Sequence, residues 1–355
     1  NDVARIKKLS LERILSTSIS PGAAILRILQ QCNNRSTTSR EFSEQIHTTH
    51  PFLKRHFSSL RYAFMESLPF EGVNHVLEVG AGSGVLTRYL GERFKSVIAV
   101  ENDIEFAECS KLRCNDLATV SVLTSLEKLP VEDIKFDLII LTCDCRLLVP
   151  KGMTIENLTT LIRKTIMHLE PGGLFMLFID NPLSHAGMYS SGPAINSGGK
   201  ASTGALRSLH ISDLKNFLLS NGLANLRACY MFPDHINPKT IFSDEAESSK
   251  LRAFGYWAAS ALEAGIASGY DLISAAELSH AGRLGDMAGG VCIMATHSEC
   301  KNPEIPWLVF SLCNTKRPPV TQTITKVPAN GDLKVVKEGQ KFHDPPFIFD
   351  PNMNY

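Results

Sequence analysis

Several features that would narrow the role of this chain at once are missing from it. None of its 355 residues falls in an uninterrupted apolar run of 18 or more, so no segment reads as a membrane-spanning helix. The first residues do not read as a secretory leader. An excess of either charge is absent too, with 36 basic and 36 acidic side chains. That balance argues against nucleic acid as the main partner, because binding a polyanion usually takes a basic face. The nine cysteines include no Cys-x-x-Cys pair, and Cys143 and Cys145 stand too close together for a metal motif. The expectation is therefore a protein with reduced thiols, no metal and a cytoplasmic location, with the inner face of the membrane left open as its place of work.

At 44% hydrophobic residues the chain can bury a large core. It begins with Asn1 rather than Met and stops after a proline-rich stretch, which reads as part of something longer. Residues 1–70 look helical. Ser20-Pro21 is a helix start with proline in the first turn, and Leu53, Phe57, Leu60, Phe64 and Leu68 recur at helical spacing. From residue 73 onward strands and helices alternate. Strands are expected at 75–79, 96–100, 120–124, 136–142 and 173–180, and helices at 84–93, 103–116 and 155–169. Glu170-Pro171-Gly172-Gly173 should end the last helix and turn into the fifth strand. This alternation predicts an α/β fold with a parallel sheet covered on both faces.

Beyond it, residues 181–206 are rich in Gly and Ser and poor in large apolar side chains, which fits a lid or a passive linker. A helix at 211–221 and strands at 223–232 and 289–297 follow, with residues 245–285 helical or irregular. Short β-type runs at 307–313, 320–327 and 333–337 suggest a small C-terminal appendage. The organisation expected is an N-terminal helical segment (1–70), a main domain (71–300) with inserts near 181–210 and 245–285, and a β-rich extension (301–355).

The most informative stretch is Val76-Leu77-Glu78-Val79-Gly80-Ala81-Gly82-Ser83-Gly84, followed by a helix and by Val97-Ile98-Ala99-Val100-Glu101. A strand, a glycine turn, a helix and a second strand ending in an acid make the first half of a nucleotide-binding β-α-β unit. The third glycine of a dinucleotide fingerprint is missing, because Val85 occupies its place. Glu78 adds a discriminating charge. An acid at a buried strand end is costly without partners. In an S-adenosylmethionine site it orders the glycine loop or meets the methionine ammonium, whereas beside a pyrophosphate it would gain nothing. Glu101 can accept both ribose hydroxyls, a role common to either cofactor. The expected cofactor is S-adenosylmethionine, held by Glu78, Gly80, Ala81, Gly82, Gly84, Glu101 and Asn102. Ser125 after the third strand and Asp144 after the fourth are further candidates.

These motifs resemble the Rossmann-like S-adenosylmethionine-dependent methyltransferases. More narrowly, they are similar to methyltransferase domains of bacterial O-antigen and capsular polysaccharide enzymes, which are often fused to glycosyltransferases. The likeness rests on residues 56–61, on 77–84 with 87–92, and on Asp180-Asn181-Pro182-Leu183. It rests also on Phe232-Pro233-Asp234, Phe242-Ser243-Asp244 and Gly285-Asp286-Met287-Ala288. It implies a seven-stranded sheet of order 3-2-1-4-5-7-6 with one antiparallel edge strand. It further implies a glycan or other sugar-containing acceptor, and additional domains such as a glycosyltransferase as partners.

The chemistry asked of such a protein is alignment of an acceptor oxygen with the methyl–sulfur bond, exclusion of water, and removal of a proton where the acceptor is a hydroxyl. Candidate bases are His185, His210 and Asp234. Asn181, Arg207 and His235 are candidate acceptor contacts. The function expected is methyl transfer to a sugar hydroxyl or sugar-linked phosphate. A weakly active scaffold in a glycan-assembly enzyme and a methyltransferase for a small molecule or protein stand as alternatives.

Overall fold

The computed structural model describes residues 20–31, 56–58, 60–129, 134–143, 155–181, 184, 211–232, 234–236, 238, 240–245, 284–297, 299–300, 303–306, 309–313, 320–326 and 333–338. Among them the six α-helices are α1 (Pro21–Gln31), α2 (Leu60–Glu66), α3 (Val85–Arg93), α4 (Ile104–Arg113), α5 (Ile155–Ile166) and α6 (Ile211–Ser220). The strands are β1 (His75–Val79), β2 (Ser96–Val100), β3 (Val120–Leu123), β4 (Phe136–Cys143), β5 (Leu169–Asp180), β6 (Leu223–Phe232), β7 (Thr240–Ser243), β8 (Gly290–His297), β9 (Val309–Cys313), β10 (Val320–Lys326) and β11 (Leu333–Glu338).

All eleven described strands join one sheet, in the order β11-β10-β9-β7-β6-β8-β5-β4-β1-β2-β3. The run β3-β2-β1-β4-β5 is parallel throughout. β8 then inserts between β5 and β6, antiparallel to both. This is the expected 3-2-1-4-5-7-6 arrangement, with β8 as the last strand of that set. Two details differ from expectation. The antiparallel strand lies inside the sheet rather than at its edge, and the sheet continues past β6 through β7 and β9–β11. The short β-type runs at the C-terminus are thus further strands of the same sheet.

Strand alternation explains how both faces are covered. Val76, Leu138, Ile140, Met176 and Phe178 pack with Phe64, Leu86 and Leu90 of α2 and α3 on one face. Leu77, Ile139, Leu141 and Leu177 pack with Leu158 and Ile162 of α5 and Leu214 and Leu218 of α6 on the other. Truncating one of these side chains to alanine costs about 2–5 kcal/mol. Phe57, Phe64 and Leu68 of the predicted N-terminal stripe are buried as expected, while Leu53 lies outside the described residues.

Element ends shift for local reasons. α1 starts at Pro21 as predicted, with the Ser20 hydroxyl accepting the Ala23 N–H at 3.2 Å. α5 stops at Ile166, and β5 begins at Leu169 instead of 173, so Glu170 to Gly173 lie within the strand. The extra residues of β5 are accommodated by a shift in the β4–β5 register between the Phe136–Leu169 and Leu138–Leu174 pairs. A Cβ on Gly173 would come within 3.1 Å of the Phe136 and Asp137 carbonyl oxygens, which is why a residue without one sits there.

Candidate active site

The carboxyl ends of β1, β2, β4, β5 and β6 gather the chemistry, as open α/β sheets generally do. Gly80 closes β1 with φ +83° and donates its N–H to the Val100 carbonyl at 2.9 Å. A Cβ on Gly80 would meet the Thr142 carbonyl oxygen of β4 at 2.4 Å. Two requirements therefore fall on this residue, a left-handed backbone and a near-zero side-chain volume. Gly84, at φ +79°, caps α3, and a Cβ there would meet Ser110 Cα of α4 at 2.7 Å. No side-chain hydrogen bond caps α3.

The turn is held from three directions. Glu101 Oε2 accepts the Gly82 N–H at 2.7 Å and Oε1 accepts the Asp103 N–H at 2.9 Å. Ser110 donates to the Gly82 carbonyl at 2.8 Å. Arg113, 1% exposed, donates to the Ser83 carbonyl at 2.8 Å and to the His56 carbonyl at 3.2 Å, with the Phe57 ring beneath its guanidinium. The segment at 56–58 is thereby tied to the turn. Ser110 and Arg113 follow no local motif, so the sequence offered no signal for their part in shaping it.

Glu78 is 1% exposed, and its Oε2 has no hydrogen-bond partner. Desolvation pushes its carboxyl up to about 7, and the neighbouring Glu101 charge adds to the rise. The nearby Thr87 hydroxyl and the Arg61 guanidinium oppose it, although Thr87 Oγ1 does not meet hydrogen-bond geometry. Arg61, on α2, reaches over the turn, with Nη1 3.9 Å from where a Gly82 Cβ would stand. Its side chain keeps some exposure, yet desolvation lowers its pKa against the pull of Glu78, Asp234 and Asp180. Arg61 and Asp180 were not foreseen as site residues. The signal for Asp180 was the one that marked Glu78, an acid at the end of a buried strand.

Asp180 ends β5, and His235 follows β6 with Nδ1 3.1 Å from Asp180 Oδ1. Both are buried. Asp234 Oδ1 accepts the Ile236 N–H at 3.0 Å, a local turn that presents His235. Asn181 is buried beside them, but its amide donates to the Asp286 carbonyl at 3.0 Å and its N–H to the Gly289 carbonyl. The residue expected to touch the acceptor thus pins the segment before β8. Ser125 caps a single 3-10 turn by accepting the Glu127 N–H at 3.2 Å, and Asn102 is exposed at the start of α4. Asp144, His185, Arg207 and His210 lie outside the described residues. Among the described residues no cluster of His, Cys, Asp and Glu suits a metal ion. No described helix is long and apolar enough to cross a membrane.

These residues fit S-adenosylmethionine. The turn offers bare backbone to a ligand, and the Glu101 carboxylate, an acceptor of the kind a ribose diol needs, lies against it. The unpartnered Glu78 oxygen is a buried acceptor suited to a cationic amine.

Residues 77–177 match a family described as a methyltransferase domain. No curated protein matches the chain. Solved structures also align with the chain. A methyltransferase from Thermotoga maritima, described as S-adenosylmethionine-dependent and a possible histamine N-methyltransferase, is 16% identical with a TM-score of 0.43, over 72% of this chain and 98% of that one. An S-adenosylmethionine-dependent methyltransferase from Archaeoglobus fulgidus is 14% identical with a TM-score of 0.42, over 69% and 97%. The phosphoethanolamine N-methyltransferase 1 of Haemonchus contortus, solved with S-adenosylhomocysteine, is 16% identical with a TM-score of 0.32, over 45% and 33%.

Proposed function

We propose that the chain is a methyltransferase with S-adenosylmethionine as its cofactor. We propose that its acceptor is a sugar hydroxyl on a glycan or glycan-linked intermediate of surface polysaccharide synthesis. The observation that carries this reading is the charge at the carboxyl edge. Arg61 stands there among three acids, Glu78, Asp180 and Asp234. Carboxylates accept hydrogen bonds from a polyol and repel a phosphate. A neutral, hydroxyl-rich acceptor therefore suits this edge better than a sugar phosphate. The sequence likeness at 180–183, 232–234 and 242–244 to polysaccharide methyltransferases supports the same choice.

Each residue has a distinct task in this reading. When bound, the cofactor supplies a methyl group already activated for attack. Gly80 to Gly84 and Glu101 bind and orient it through backbone and carboxylate. Glu78 holds a negative charge, or a proton, at the buried end of β1. Holding the acceptor oxygen in line is worth about 7–11 kcal/mol of barrier. Transfer of labelled methyl from S-adenosylmethionine to a panel of methyl glycosides and sugar phosphates tests the proposal. Labelling of the glycosides is expected; labelling of the phosphates alone, or of neither class, overturns it. Calorimetry with S-adenosylhomocysteine against NAD, run in parallel, reads the cofactor separately.

A further inference from the structure

Asp180 and Glu78 face the same side of the sheet. Phe178 and Val76, two residues earlier on β5 and β1, lie in one core with α2 and α3. His235 belongs to this side as well, with its ring 6.4 Å from that of Phe178. The imidazole is 3% exposed. Its Nδ1 is at ion-pair distance from Asp180 Oδ1, off the hydrogen-bond axis, and its Nε2 has no hydrogen-bond partner. A buried ring nitrogen left unsatisfied costs about 1–3 kcal/mol. The backbone nevertheless holds the residue there. A Cβ on Gly290 would meet His235 N at 2.4 Å, so β8 closes on the residue and fixes its place. A carboxylate next to Nδ1 favours the proton on that nitrogen, which leaves the Nε2 lone pair bare. Such contacts are often long or poorly aligned until substrate binds.

We propose that His235 is the base that takes the acceptor's proton and that Asp180 is the positioning residue that sets its tautomer. The proposal rests on the hydroxyl-acceptor reading above. As the acceptor oxygen's electron pair forms the new bond to the methyl carbon, its O–H bond breaks and the proton moves to His235 Nε2. The pair of the methyl–sulfur bond stays with sulfur. The positive charge thus passes from the sulfonium to the imidazolium, where Asp180 offsets it, and the proton leaves later to water. The charged groups around the pair are Asp180 from β5, Arg61 from α2, Asp234 next along the chain, and Glu78 from β1 beyond Arg61.

The test uses the full chain labelled with ¹⁵N-histidine, with the His235 signals assigned by their loss in His235→Gln. Long-range proton–nitrogen NMR is expected to show the Nδ1–H tautomer with a bare Nε2, and to lose that preference in Asp180→Asn. A proton fixed on Nε2 in the native chain overturns the proposal. In methyl transfer to the glycoside probes, His235→Gln is expected to lower kcat by about 10²–10⁴-fold. Its Kd for S-adenosylhomocysteine should stay within twofold and its melting curve close to native. A His235→Gln rate equal to wild type overturns the base assignment even if the tautomer is as expected. If the native chain transfers methyl to no glycoside, the acceptor reading has failed, and the tautomer still decides on the pair.

Discussion

Glu78 and Asp180 are two acids at the ends of two buried strands, on one face of one sheet, and Arg61 feels both. Their surroundings divide them. Glu78 is left with an unpartnered oxygen and a carboxyl pushed up to about 7, whereas Asp180 has an imidazole within 3.1 Å. The first is an acid that awaits a cation from outside the protein. The second already has its partner and can use it. In the proposed reading, two acids in the same local pattern would serve the donor at one end of the mouth and the acceptor at the other. What distinguishes them is where the neighbouring loops deliver charge.

The donor side breaks most completely at Gly80. Gly80→Ala would force a Cβ against the Thr142 carbonyl and strain a left-handed backbone. The sum is a loss of about 3 kcal/mol in stability, from overpacking and from the unfavourable φ. Denaturant unfolding should show it, together with loss of S-adenosylhomocysteine binding. A variant that melts and binds as wild type would show that β1 and β4 are free to part.

Glu78→Gln sharpens the contrast at intermediate cost. The folded-state pKa lies above the ordinary carboxyl value, so the ligand-free fold holds a proton that the unfolded chain gives up. Stability conferred by that protonated carboxyl is full below about pH 4.5, falls as pH rises towards about 7, and is flat above. Binding a cationic amine selects the anion. Affinity for S-adenosylhomocysteine should therefore weaken below pH 7, by up to about tenfold per pH unit, with one proton released on binding. In Glu78→Gln both slopes should vanish. Calorimetry in buffers of different ionisation enthalpy reads the proton directly, and no release at pH 6 would count against Glu78 as the amine's partner.

The smallest effect is expected at the turn that carries His235. In Asp234→Asn the amide oxygen still accepts the Ile236 N–H, so stability should move by less than about 0.5 kcal/mol. Thermal melts of Asp234→Asn against Asp234→Ala check this, with the alanine variant the less stable. Equal losses in both would mean that the charge, not the turn, holds the loop.

How much of this was legible in the sequence follows the same division. The donor half is written in the residues from Glu78 to Glu101, where strand, turn, helix and strand each declare themselves by period and by glycine. The order of the strands followed from the resemblance, whereas the antiparallel strand, expected at an edge, lies between β5 and β6. The acceptor half was not, because its parts meet only through the sheet. Asp180 lies 55 residues before His235, and Gly290, against which the His235 backbone packs, comes 55 after it. No local pattern links three residues at such separations. Asn181 shows a structural role that no local pattern announces. A polar side chain in the expected place turned out to bind the Asp286 carbonyl, since a buried amide is drawn to whichever backbone group is left over. The C-terminal runs were recognised as strands, but alternation alone does not say which edge they join.

The guanidinium of Arg113 has a wider consequence. It bonds the glycine turn and the 56–58 segment at once. Because linkage is reciprocal, any ligand that stiffens the turn must also stiffen that segment, and any partner that grips the segment must alter the hold on the ligand. The stretch before the first strand is therefore a handle on the turn that faces the methyl donor.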